Sequence, residues 1–390
     1  MKQSSLLLSL LFILAVSSCR QDDYVILSET YDTGWQAPKG NIVGMYLLNE
    51  GNMGSNKASL DYLDLSATTP TAPYVRNIYT ERNPDVVKEL GDVGNDVQIY
   101  GSKLWIVVNA SNKVEVATAN SCKRLATIDI PNCRNVAFNG KYAYISSFVG
   151  PIKFPDPQSP LGMVYKVDTA TFEKVAALSV GYQPEELSII DNKLYVANSG
   201  GYRPPHYDRT ISEIDLYSFK ELRKIDVDIN PHRCCADRYG QLWVTTRGNY
   251  GDISPRLYWL SKDHHGTLQL GGVIDIAASG ISIVGDSLYY YGAAWNNATG
   301  KNTITYGIVN VRTHQIISNS LSSSPQLANI TMPYGIMVNP INRDFYLMDA
   351  KNYVSSGELL HFKPDGTFDW KVKTGDIPGH AAFVYKKATP

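Results

Sequence analysis

Seven histidines are spread along the 390 residues, at 206, 232, 264, 265, 314, 361 and 380. Imidazole is the side chain best placed to move protons near neutral pH or to hold a metal. Only His264 and His265 are close in sequence, and no HExxH pair occurs. No GxSxG elbow is present to expose a nucleophilic serine. Asp and Glu are plentiful, yet no spaced pair suggests the acid and base of glycoside cleavage. Cys122, Cys133, Cys234 and Cys235 lack the paired CxxC spacing of a zinc or redox site. These absences predict a chain with no catalytic residues, no metal and no required cofactor. A lyase or hydrolase whose site is assembled from single residues far apart in the chain is the alternative.

What remains is binding chemistry, and the repeats say where it sits. An apolar strand, a turn with Gly, Asn or Asp, and a strand rich in Leu, Tyr, Trp and Val recur six times. The copies are DVQIYGSKLWIVVN (96–109), RNVAFNGKYAYISS (134–147), EELSIIDNKLYVAN (185–198), CCADRYGQLWVTT (234–246), GISIVGDSLYYYG (280–292) and GIMVNPINRDFYLMD (335–349). Each is a hairpin signature. A third alternating strand follows each, as in NKVEVAT (112–118) and ISEIDLY (211–217), and then a shorter edge strand. The unit is a four-stranded antiparallel meander. A seventh is split: 44–50 and 59–65 supply its second and third strands, and 380–386 its first. The fold class is therefore all-β, a seven-bladed β-propeller closed by pairing the C-terminal strand with the N-terminal blade. Closure removes the open sheet edges.

The turns within hairpins are short, whereas the loops from second to third strand are long. These are 50–58, 148–161, 199–210, 247–255, 293–302 and 350–357, rich in Tyr, Trp, Asn, Arg and Gly. Aromatic rings offer flat apolar area with a polar tip, and Asn and Arg give directional hydrogen bonds. The candidate ligand contacts are Asn52, Tyr182, Tyr202, Arg203, Tyr207, His232, Arg247, Tyr250, Trp295, Asn296, Tyr334 and Tyr353. Arg203 precedes Pro204-Pro205, whose stiff backbone is expected to hold Tyr202 and Arg203 outward. Arg134 and Arg233 begin first strands near the axis and need partners there, such as Asp92, Asp96 or Glu185. With 36 basic and 37 acidic residues, the charge gives no reason to expect nucleic acid.

The chain starts MKQSSLLLSLLFILAVSSC. The apolar run from Leu6 to Val16 is too short for a membrane span and fits a secretory signal. VSSC resembles a bacterial lipobox, which implies cleavage before Cys19 and lipidation of that residue. Residues 1–18 are thus expected to be the signal, 19–40 a lipidated tether, and 41–390 the ring. The acidic RQDD after Cys19 resembles the surface-export signal of Bacteroides lipoproteins, which implies an outer-membrane protein facing the exterior.

The phrases LLNEGNMGSNKASLDYLDL, RNIYTERNPDVVKELGDVGNDVQIYGSKLWIVVNASNKVEV and IPNCRNVAFNGKYAYISS resemble a family of Bacteroides surface lipoproteins related to YncE-like and surface-layer-type propellers. The group includes the BtuG-type lipoproteins that capture vitamin B12. The resemblance implies non-catalytic capture of a small molecule, cobalamin or a related corrinoid, and handover to a TonB-dependent outer-membrane transporter. It supplies no ligand residue. A surface module for a glycan, peptide or protein is the other reading.

Overall fold

The structure is a computed structural model that describes residues 28–36, 40–67, 71–86, 90–296 and 300–386. Cys19 and the segment read as a signal lie outside the described residues. Seven antiparallel sheets form a ring, each running from an inner strand at the axis to an outer edge. Blade 2 is typical, with Gly94–Tyr100 inside, then Lys103–Val108, Lys113–Thr118 and Arg124–Asp129. Blades 3 to 7 repeat this order, with inner strands Cys133–Asn139, Pro184–Ile190, Pro231–Ala236, Gly280–Val284 and Pro333–Val338.

Blade 1 joins the two ends of the chain. Pro378–Tyr385 is its inner strand and pairs antiparallel with Ile42–Asn49, which pairs onward with Ser59–Asp64. Thr30–Asp32 adds a fifth strand outside Pro73–Val75. The ring therefore takes in residues assigned to the tether. The reason is apolar surface: Trp35 lies against His361 and Trp370, with ring centroids 4.6 and 5.7 Å away.

The core lies between neighbouring blades. Period-2 alternation turns one side chain to each neighbouring blade, so middle strands are apolar on both faces. Trp105 and Trp243 are wholly buried in two such layers. Outer strands alternate with solvent, as in Lys174–Ser179. Two buried carboxylates on third strands each hold two cations. Glu115 meets Lys113 at 2.7 Å and Arg124 at 3.2 Å, and Glu213 meets Lys193 at 2.6 Å and Arg223 at 2.7 Å. All four described cysteines are free thiols.

Closure predicts a sharp dependence on the last strand. A chain ending at Asp376 leaves Ile42–Asn49 as a bare, largely apolar edge. It is expected to aggregate on size exclusion and to lose a cooperative thermal transition. A monomer with an unchanged midpoint would show that the pairing is dispensable.

Candidate functional site

Six of the seven inner strands carry a β-bulge at their first residues, with one extra residue on the inner strand. The bulges span Gly94–Asp96, Cys133–Val136, Pro184–Leu187, Pro231–Cys234, Pro333–Gly335 and Pro378–His380. A bulge breaks the alternation and re-aims side chains. Proline is tolerated there because the ladder is already interrupted. Consecutive residues such as Glu185-Glu186 and His232-Arg233 therefore both reach the axial cluster.

The resulting groups bond across blades. Arg134 Nε donates to Glu185 Oε2 at 2.9 Å, and its guanidinium lies 4.8 Å over the ring of Phe148. Arg247 reaches the other Glu185 oxygen at 3.5 Å and donates through Nη2 to His232 Nε2 at 2.7 Å. Arg233 donates to His380 Nε2 at 3.1 Å, and His380 Nδ1 faces Asp96 at 3.5 Å. Tyr334 donates its hydroxyl to Glu50 at 2.7 Å, and Tyr291 donates to the Tyr334 carbonyl at 2.5 Å.

These surroundings set the protonation states. Burial, then Arg247 and Arg233, hold the His232 imidazole far below its usual value. An imidazole that accepts from an arginine is also the neutral tautomer with its proton on Nδ1. Burial and Arg233 lower His380, against Asp96. Burial raises the Glu50 carboxyl, against the Tyr334 hydroxyl and three arginines. Burial pushes Glu186 up to about 7. The axis thus holds two imidazoles whose protonated forms are disfavoured and two carboxyls whose ionised forms are disfavoured.

A cavity of about 190 Å³ opens on the long-loop face between blades 5, 6 and 7. Its floor is His232, Arg233 and Arg247, and its walls include Tyr250, Trp295, Tyr334 and Tyr353. No Asp or Glu is among its described lining residues. The Arg233 guanidinium makes its one side-chain hydrogen bond among the described residues to His380, which leaves its other guanidinium N–H groups to face a ligand. Two guanidinium groups and no carboxylate among its described lining give the cavity a positive face.

Of the residues singled out from sequence, the cavity gathers His232, Arg247, Tyr250, Trp295, Tyr334 and Tyr353. Asn52 stands behind them and donates to the Tyr353 carbonyl. Arg203 does not reach outward. It stacks on the Tyr182 ring at 3.7 Å and donates to Pro157 O at 2.9 Å and Ser159 O at 3.4 Å, tying two loops together. Tyr202 packs between Phe148 and Phe154, with ring centroids 5.4 and 6.0 Å away. Tyr207 lies near Tyr250, and burial raises its hydroxyl. The segment 293–302 is mostly strand: Ser287–Asn296 and Lys301–Asn310 run ten residues each and carry Trp295 to the cavity lip. The Asn296 side chain lies outside the described residues.

Sequence reading missed Arg233 as a ligand group, and it missed Glu50, Glu186 and Tyr291. The available signal was the X-Pro step at Pro184, Pro231, Pro333 and Pro378, which marks the bulged start of four inner strands. His232 and His380 each accept a hydrogen bond from an arginine. Among the described residues no group of three metal-binding side chains occurs.

No protein-family model and no curated protein sequence matches the chain. The fold is shared with a periplasmic gluconolactonase of Pseudomonas aeruginosa, at 12% identity and TM-score 0.56, over 89% of this chain and 99% of that one. A quinonprotein alcohol dehydrogenase-like protein of Bacteroides thetaiotaomicron is similar at 11% identity and TM-score 0.56, over 88% and 79%. A protein from Lactobacillus plantarum is similar at 13% and 0.58, over 88% and 99%. The likeness establishes the propeller fold. It also corrects the expectation of a chain without catalysis. The fold is one that a protein named as a gluconolactonase shares, so the absence of a catalytic motif does not exclude catalysis.

Glu186 yields a test of this electrostatic picture. Its folded pKa is raised, so the stability of its protonated form is lost as pH rises through about 7. Glu186→Gln keeps an acceptor for the Cys234 N–H, which Glu186 Oε2 takes at 2.9 Å. The variant is expected to melt a few degrees higher than the parent at about pH 8, with the gap closing at about pH 5. A gap independent of pH would mean the carboxyl is not shifted.

Proposed function

We propose that the axial site binds a small anionic substrate and hydrolyses an ester or lactone bond in it. The observation that supports this best is the cavity floor, where Arg247 bridges Glu185 and a neutral His232 beside the free N–H groups of Arg233.

An anion entering the cavity competes with His232 for the Arg247 guanidinium. When Arg247 turns to the anion, the His232 Nε2 lone pair is released. It then accepts a proton from water, whose oxygen adds to the acyl carbon. Arg233 stands beside the developing oxyanion. The acyl C–O bond breaks, and the departing oxygen takes the proton from His232. The products are an alcohol and a carboxylic acid, which releases its remaining proton to solvent as it becomes a carboxylate. The gluconolactonase among the similar structures is named for a reaction of this class.

A second reading rests on the lip of the same cavity. Tyr250 and Trp295 are 55% and 51% exposed, a flat aromatic surface for a bulky ligand such as a corrinoid. In that reading a lipid on Cys19 holds the ring at the outer membrane beside a TonB-dependent transporter. Its support is the VSSC sequence and the resemblance that came with it.

One experiment separates the two. The chain from Ser28 onward is tested against 6-phosphogluconolactone and aromatic esters, with calorimetry against cyanocobalamin and cobinamide in parallel. Hydrolysis is expected, and it should persist as pH falls through 6.5, because His232 stays neutral below its ordinary value. Arg247→Ala removes a charge that lowers the imidazole, so the acid limb should move to higher pH. The same change should raise KM about tenfold or more. No turnover by folded protein, with tight corrinoid binding, would replace hydrolysis with capture.

A further inference from the structure

The cavity is lopsided. Its charged groups are all on the floor, whereas the side toward blades 5 and 6 carries Ile253, Pro255, Ala293, Ala294 and Trp295, with uncharged hydroxyls of Ser254 and Ser279 among them. A polyol laid against the two alanines and the indole would lose water from hydroxyls that find no partner on those three side chains, which costs free energy. The two alanines leave a flat wall, and Trp295 stands beside them on the same extended hairpin, paired with Asn302. Gly292 brings that hairpin in: a Cβ at this position would overlap the carbonyl oxygen of Ala277. The hairpin therefore reaches past its sheet and sets an indole at the mouth.

Resting on the reading of the floor as an anion site, we propose that the body of the ligand is a flat aromatic ring. The substrate class is then an ester or lactone of an aromatic acid, with the anionic group on Arg233 and Arg247 and the ring against Ala293, Ala294 and Trp295. Trp295 is the residue that sets this preference. Stacking and burial of a ring favour it over a polyol of similar size.

The test uses product-like probes that undergo no reaction: 4-hydroxybenzoate and gluconate, by calorimetry on the ring from Ser28 onward. The aromatic acid is expected to bind about tenfold more tightly and to quench indole fluorescence. Trp295→Ala, at an exposed position, should abolish that preference, bringing the two affinities together. Arg247→Ala should weaken both probes. If gluconate binds as well or better, or if Trp295→Ala leaves the ratio intact, the aromatic body is wrong and the anion site stands. If neither probe binds the folded protein, the anion site and this inference fall together.

Discussion

Three guanidinium groups sit where seven strands converge, and a charge taken out of water there must be matched by a partner. Arg134 from blade 3 meets Glu185 from blade 4, which also receives Arg247 from blade 5. Arg233 reaches His380 in blade 1, and that ring faces Asp96 in blade 2. Tyr334 of blade 7 meets Glu50 beyond blade 1. Nearly every bond crosses from one blade to another. The network thus forms only in the closed ring, and closure brings His380 and Glu50 from opposite ends of the chain. Buried pairs of this kind give little net stability over apolar packing, while loss of one partner is costly. Their presence at the axis fits a site better than a girder.

The bulges explain how so many polar groups arrive at one place. A regular strand would send alternate residues to the two neighbouring blades, into apolar layers such as those around Trp105 and Trp243. One extra residue at the inner end frees two successive side chains from that rule. Blade 6 shows the contrast. Its inner strand pairs from Gly280 to Val284 without a shift, and it contributes no charged group to the cavity floor. Its contribution is the long second hairpin with Trp295.

The ring was legible because its signal repeats. Six hairpin phrases and a split seventh leave little freedom in topology, and the strand that closes the ring was visible in the pattern of residues 380–386. The N-terminal edge was not legible. Tyr31 and Trp35 sit in a polar segment without alternation, and only the apolar face near His361 shows why they dock. Within the site, loop position pointed to Tyr250, Trp295 and Tyr353, since long loops cluster on one face. It failed at Arg203, where a stiff Pro-Pro step was read as projection while the guanidinium closes onto Pro157 and Ser159. Pairwise chemistry among blades was beyond reach. Glu50 and Tyr334 are 284 residues apart, and no local spacing joins them.

Whether such a centre only holds a ligand or also transforms it turns on Arg247. In a site built only for capture, a guanidinium gains most by facing the ligand with no competing base at its side. Here Arg247 already donates to a histidine that burial, and after it that same arginine, hold neutral, and in the proposed mechanism an anion draws the guanidinium away from it. In the proposed mechanism, binding and base release are the same exchange. The anion that takes the guanidinium also screens its charge, so the imidazole becomes more basic as it becomes free. That coupling delivers a proton acceptor only when substrate is present. It also shields His232 from protonation while the cavity is empty, which is the behaviour a general base near the axis of an open ring requires.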